Sequence, residues 1–328
     1  MTHNYNRVRI APIKLAILIP CLNEERSLGS VLLSIPKKIP SSTIKIEIII
    51  VDDGSTDKTK EIAKKYGVRH VITHKANFGL AKSYADGMEK ALALHAGIIV
   101  NTDGDNQYPQ KDIPRLIAPI LSGKADMVVA DRQIDKIDHF SLAKKFFQKL
   151  GSCTVRFVSG TQVPDAVCCF RALTREAALQ LNIFTRYTYT IETIIQAGKK
   201  NLRIGSVKIK TNSKSRESRL IKSYGSFVRK SLSTIVRILA LYEPLKVFSG
   251  IGFVIALPGI LAAVRFGYYY FTGIDGGGRG HIQSLILGAV LIIVGFQVCV
   301  IGLVADLISM NRKLEEEILF RLKKTSIR

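Results

Sequence analysis

Cysteine is scarce in this chain, and its placement suits neither of its usual structural uses. The five residues, Cys21, Cys153, Cys168, Cys169 and Cys299, are odd in number, and their spacings match no zinc or redox motif. A disulfide scaffold and a structural metal site are thereby excluded, and a reducing compartment fits best. Acidic residues are also few: 26 Asp and Glu face 48 Lys and Arg, a formal net charge of +22. So positive a balance points to an anionic partner. Repeats and low-complexity segments are absent, yet 47% of the 328 residues are hydrophobic, more than a soluble domain of this charge usually carries. Charge and apolar surface must therefore be segregated along the chain, which excludes a disordered tail protein. The opening residues, MTHNYNRVRIAPIK, hold no apolar core of signal-peptide length, so the front of the chain is expected to stay unexported.

The apolar excess lies at the far end. Val247 to Val264 is a run of 18 residues without a charge, and Ile282 to Ala305 one of 24. At about 1.5 Å per helical residue each approaches or exceeds a hydrocarbon core of about 30 Å. Two transmembrane helices are expected, at about 247–271 and 282–306 within a 245–308 hairpin. Pro258 inside the first is tolerated where neighbouring helices pack. The connecting TGIDGGGRGH carries only Arg279 as a basic residue, whereas Arg237, Lys246, Arg312 and Lys313 flank the outer ends. The positive-inside rule then makes this a multi-pass protein of the cell membrane with both outer ends cytoplasmic, residues 309–328 forming a charged tail.

Half of the net charge sits just before the hairpin, where 13 Lys and Arg between 199 and 246 face only Glu217 and Glu243. Within it Leu220, Ile221, Tyr224, Phe227, Val228, Leu232, Ile235, Val236 and Leu239 recur at helical spacing, with Lys222, Arg229, Lys230 and Arg237 mostly elsewhere on the wheel. Residues 211–244 therefore read as basic amphipathic helices lying on an anionic membrane surface. Nucleic acid is excluded as the anion, because no nucleic-acid-binding motif accompanies the charge.

Residues 1–210 read as an α/β domain. Apolar runs at Leu15 to Pro20, Ile46 to Asp53, His70 to Thr73, Gly97 to Asp105 and Asp126 to Arg132 alternate with helical stretches near 24–34, 57–66, 80–95 and 111–121. That order predicts a doubly wound, mostly parallel sheet whose ligand site lies at the carboxyl ends of the strands. Those ends are acidic: PCLNEE (20–25), DDGS (52–55) and TDGDNQYP (102–109). Asp103 and Asp105, two apart at a strand edge, can share a hard cation, Mg²⁺ or Mn²⁺, whose remaining ligands are water and substrate phosphates. A diphosphate ligand is implied. Asp52 and Asp53 taken alone suit a helix-capping turn equally well.

Taken in order, PCLNE, VDDGSTD, NFG (77–79), TDGDNQYP, ADR (130–132) and DAVCCFRAL (165–173) resemble family 2 inverting glycosyltransferases of the GT-A fold. They are most similar to the branch of dolichyl-phosphate mannose synthases and polyprenyl-phosphate glycosyltransferases. Two departures stand out, Gly104 where the family often has Ala and Cys169-Phe170-Arg171 where it often has Gly-Phe-Arg.

The resemblance implies that Pro20, Asn23, Glu24, Asp52 and Asp53 bind the nucleotide, and that Asp103, Asp105 and Gln107 hold the metal and the diphosphate. Arg132 and the RESRL segment, with Arg216, Ser218 and Arg219, would meet the lipid phosphate. Asp165 is expected near the reacting centre beside Asp105 and Arg132, either as a base or as the group that positions arginines such as Arg171. A phosphate acceptor is largely ionised already, so orientation matters more there than proton removal.

The implied reaction moves a sugar, glucose or mannose foremost, from a nucleotide diphosphate sugar to polyprenyl or dolichyl phosphate at the cytoplasmic face. A processive polysaccharide synthase is the enzymatic rival. Such enzymes usually carry Gln-x-x-Arg-Trp and more spans, and this chain has no tryptophan. A catalytically silent nucleotide-binding scaffold is the other rival, and the intact acids argue against it. The sugar, the lipid and any assembly into homo-oligomers stay open.

Overall fold

The aliphatic runs Ile13–Cys21 and Ile44–Asp52 form β1 and β2, parallel and in register from Ile13 opposite Ile44 to Cys21 opposite Asp52. In this computed structural model, residues 13–39, 44–136, 142–183, 189–212, 233, 236, 242–273 and 282–326 are described. Beyond β2 lies β3 (His70–Thr73), and β4 (Ile98–Asn101) pairs parallel with the other side of β1. Crossovers run through α1 (Leu28–Ser34), α2 (Thr59–Lys65) and α3 (Leu80–Ala93). Leu15 through Ile19 are wholly buried, as expected of a parallel strand covered on both faces. Each such Leu or Ile side chain stabilises the fold by about 1.5–3 kcal/mol. The helix approaches closely: a Cβ on Gly87 of α3 would collide with the Leu18 side chain.

The second half of the domain adds α4 (Ile113–Leu121), β5 (Met127–Asp131), α5 (Leu142–Ser159), β6 (Arg171–Thr174), α6 (Arg175–Gln180), α7 (Tyr189–Lys199) and β7 (Ile204–Lys208). The seven-stranded sheet runs β3-β2-β1-β4-β6-β5-β7, parallel throughout except that β6 lies antiparallel between β4 and β5. The five expected strands are present, and β6 and β7 are additions. A four-residue strand headed by an arginine carries no long apolar run to mark it. Here the Arg171 guanidinium is buried because four acceptors surround it, the Cys168, Ala166 and Thr190 carbonyls and Thr193 Oγ1, all at 2.7–2.8 Å. The first helix starts at Leu28 rather than near residue 24, because the preceding turn is bound to its neighbour, as described below.

Two compact units divide the chain, residues 1–234 with 322–328, and residues 235–321. The second unit is built on the helices Pro244–Thr272 and Ile282–Ser326, 29 and 45 residues long. Both are long and apolar enough to cross a membrane. The second runs on as helix to Ser326, through the charged residues after 309. Glycines let the pair touch backbone to backbone: a Cβ on Gly295 would stand 2.5 Å from the Gly252 carbonyl oxygen, and Gly259 meets Gly288 in the same way.

Candidate active site

The order of strands reverses between β1 and β4: β2 and β3 lie to one side of β1, and β4, β6, β5 and β7 to the other. Such a switch point opens a crevice beyond the carboxyl ends of the strands. Here it is a cavity of about 200 Å³ lined by Pro20, Glu24, Asp53, Asn77, Asp103 and Asp105, among others. Five residues predicted from the sequence therefore meet in one place: Pro20, Glu24, Asp53, Asp103 and Asp105. Asn23, Asp52 and Gln107 do not line it and act on its loops instead.

The loops after β1 and β2 are interlaced. Asn23 N–H donates to Ser55 Oγ (2.8 Å), Glu24 N–H to Thr59 Oγ1 (2.8 Å) and Glu25 N–H to Asp57 Oδ2 (3.1 Å). In return Thr56 N–H donates to Asn23 Oδ1 (2.8 Å) and Lys58 N–H to Glu25 Oε2 (3.2 Å). Asn23 adopts φ +55°, a left-handed conformation that asparagine tolerates better than most residues. Asp52 Oδ1 closes its own turn by accepting from Ser55 N–H at 3.0 Å. Asp57 Oδ1 accepts from the Thr59 N–H at the start of α2 (3.0 Å) and from the Thr59 hydroxyl. Asp53 is committed elsewhere, its carboxylate accepting from Phe78 N–H (2.9 Å), Gly79 N–H (2.8 Å) and the His74 ring (2.7 Å). It builds the wall of the crevice as well as lining it.

Asp103 and Asp105 follow β4, and Asp105 Oδ1 accepts from Gln107 N–H at 3.0 Å. Desolvation within the crevice and the adjacent Asp105 charge push the Asp103 carboxyl up to about 7. Two oxygen-donor groups whose charges oppose each other in a confined site are what a divalent cation neutralises. Among the described residues no cluster of three or more acids, histidines or cysteines forms a cation cage. This donor set therefore fits a hard cation that takes its remaining ligands from water and substrate oxygens.

Asp165 is fully buried, and its partner is Arg132 rather than Arg171: Arg132 Nε donates to Oδ2 at 2.6 Å and Nη2 to Oδ1 at 2.9 Å. A bidentate pair of this kind fixes the guanidinium plane. Neither residue lines the cavity. The cysteines here are packing groups. Burial, with the charges of Glu24, Asp52 and Asp103, raises the Cys21 thiol well above its ordinary range, and burial pushes Cys168 up to about 12.

The model of the family described as Glycosyl transferase family 2 matches residues 16–181, just over half of the chain and all three acidic loops. The chain belongs to this family. A dodecaprenyl-phosphate galacturonate synthase of Rhizobium johnstonii is 23% identical over 92% of this glycosyltransferase and 89% of its own length. A UDP-N-acetylglucosamine–dolichyl-phosphate N-acetylglucosaminyltransferase of Methanococcus voltae is 30% identical over 60% of this chain and 84% of its own. Among solved structures, glucosyl-3-phosphoglycerate synthase of Mycobacterium tuberculosis, in complex with Mg²⁺ and UDP, shares the fold. Its TM-score is 0.53 at 20% identity, covering 69% of this chain and 79% of that one.

Two parts of the glycosyltransferase site were not foreseen. His74 carries no motif, and its only sequence signal is its place at the end of a strand beside the DDGS turn. Asn212 had no signal at all: its N–H donates to the Gln107 carbonyl (3.0 Å) and its Nδ2 to the Asn106 carbonyl (2.9 Å). The chain entering the basic segment is thus tied to the Asp105 loop. Arg216, Ser218 and Arg219 themselves, and most of the expected amphipathic helix, lie outside the described residues.

Proposed function

We propose that this glycosyltransferase transfers a hexose, with inversion, from a nucleotide diphosphate sugar to a polyprenyl or dolichyl phosphate at the cytoplasmic face of a membrane. The observation that carries the reading is the meeting of Asp103, Asp105, Glu24 and Asp53 in one crevice at the switch point of the sheet. Relatives whose names include dodecaprenyl phosphate and dolichyl phosphate support the acceptor class, and the two long apolar helices support membrane attachment.

In this reading Pro20, Glu24 and Asp53 contact the nucleotide directly, while Asn23 and Asp52 hold the interlaced loops in shape around it. Asp103 and Asp105 would hold Mg²⁺ or Mn²⁺, with the Gln107 N–H steadying the Asp105 carboxylate. Bound there, the cation supplies charge neutralisation to the departing diphosphate. Residues 1–210 are the catalytic domain, 211–244 the basic juxtamembrane helices and 245–308 the membrane hairpin. An oxygen of the lipid phosphate attacks the anomeric carbon from the face opposite the diphosphate. The new carbon–oxygen bond forms as the bond to the diphosphate breaks, giving a lipid-phosphate sugar and a nucleoside diphosphate. Arg132, Arg216, Ser218 and Arg219 orient the lipid phosphate, and Asp165 acts through Arg132 as its counter-ion.

The test is purified full-length protein incubated with a panel of nucleotide sugars and extracted polyprenyl phosphate, the lipid product identified by mass spectrometry. One lipid-phosphate monosaccharide is expected. Hydrolysis of the donor alone, or a polymeric product, overturns the reading.

A further inference from the structure

His74, just past β3, is one of six histidines scattered through the sequence, and it is 9% exposed. Its Nδ1 lies 2.7 Å from Asp53 Oδ1 and its Nε2 2.9 Å from Asp86 Oδ2. Both facing atoms are carboxylate oxygens, which only accept. Each ring nitrogen thus has a carboxylate oxygen within hydrogen-bond distance. Asp86, on α3, is held in turn by Lys82 one helical turn earlier, at 2.6 Å, and the Phe78 ring lies 5.3 Å from the imidazole centroid. The imidazole therefore ties the turn after β2 to the body of α3, and residues 75–79 join His74 to the start of that helix.

That segment is part of the crevice wall, since Asn77 and Gly79 line the cavity beside Asp53. It also packs directly on the turn: Gly54 has φ +77°, and a Cβ there would stand 2.7 Å from the Ala76 backbone carbonyl carbon. Asp53 thus collects three donors, two from the backbone of this segment and one from His74. Loss of His74 removes the only one of the three anchored outside the segment's own peptide groups.

We propose that His74 is a positioning residue for donor binding: by bridging Asp53 and Asp86 through both ring nitrogens, it holds residues 74–79 as a preformed wall of the nucleotide site. The inference rests on the reading of this crevice as the donor site. Because the bridge shapes a binding wall and does not reach the anomeric carbon, its loss weakens binding of the nucleotide sugar and leaves the chemical step largely intact.

The experiment compares wild type with His74→Phe and Asp86→Asn, the full chain in detergent, measuring donor KM and kcat at saturating lipid phosphate, UDP and GDP affinity by calorimetry, and thermal unfolding. His74→Phe should raise donor KM and the nucleotide dissociation constant about tenfold, or about 1.4 kcal/mol, with kcat within about twofold. Asp86→Asn should move KM in the same direction by a smaller factor, and the double variant should be no worse than His74→Phe alone, since both cut one bridge. Unchanged donor KM in both variants, or a fall confined to kcat, overturns the clamp. Failure of wild type to bind either nucleotide overturns the crevice reading itself, and the clamp with it.

Discussion

Arg132 and Asp165 form a closed pair: two parallel hydrogen bonds of 2.6 and 2.9 Å join them, and both side chains are at least nine-tenths buried. Removing one partner of such a pair strands the other charge, whereas replacing both with apolar groups does not. Asp165→Ala should therefore lower stability by about 3–5 kcal/mol and abolish transfer. The double variant Arg132→Met/Asp165→Leu should recover most of the stability and none of the transfer. Denaturant unfolding beside the transfer assay checks both, and a stable, active Asp165→Ala contradicts the pairing.

The metal reading rests on Asp105 as much as on Asp103. Asp105→Ala should abolish transfer with little change in unfolding temperature, because the residue lines the crevice on the loop after β4. Excess chelator should silence the wild type, and added Mn²⁺ or Mg²⁺ should restore it. Full transfer in either condition ends the assignment.

Arg216 and Arg219 test the separation of acceptor from donor. Replacing both with Ala should weaken use of the lipid phosphate more than tenfold, at about 1.5–3 kcal/mol for each charge-assisted contact, and leave nucleotide affinity nearly unchanged. A solvated basic face predicts instead a small loss that high salt erases. Calorimetry for the donor and lipid-dependent rates at two salt concentrations distinguish the two.

Asp57 carries a pH signature. Partial burial raises its carboxyl, but the Thr59 hydroxyl and the backbone N–H groups of Glu25 and Thr59 more than offset this, and the net shift is downward. A carboxyl lowered on folding stabilises the protein above its unfolded value of about 3.9 and loses that contribution as pH falls through the lowered one. Asp57→Asn should thus be less stable than wild type at about pH 7. The difference should shrink below about pH 4, which thermal unfolding across that range will register.

The strands whose apolar runs end in acids were legible, because a parallel strand buried on both faces and a ligand site at its carboxyl end leave the same mark in sequence. β6 was not, since the four acceptors that make Arg171 tolerable come from separate stretches of chain. Gly104 read as a departure from the family, and its cause is spatial: a Cβ there would lie 2.9 Å from Cys21 Sγ and 3.2 Å from Glu24 Cγ. The Cys21 and Glu24 side chains fill the space that alanine would take. The role of Asp53 was only half legible. Its position marked the crevice, but the three donors it gathers come from a loop and a histidine that no local pattern joins to it.

The glycine contacts between the last two helices supply a further prediction. Gly295→Leu forces side-chain atoms into the Gly252 backbone and should separate the pair. Gly267, with nothing within 4 Å of an added Cβ, should accept Ala freely. Unfolding temperature in detergent should fall for the first variant and hold for the second.

Those glycines recur at 252 and 259 on one helix and at 288, 295 and 302 on the other. A seven-residue repeat falls short of two full turns of an α-helix by about 20°. Two helices that keep such a repeat in contact must wind about each other with a left-handed twist. A single inserted residue would rotate every later glycine by about 100° out of the seam. The hairpin should therefore tolerate lengthening only in steps of seven.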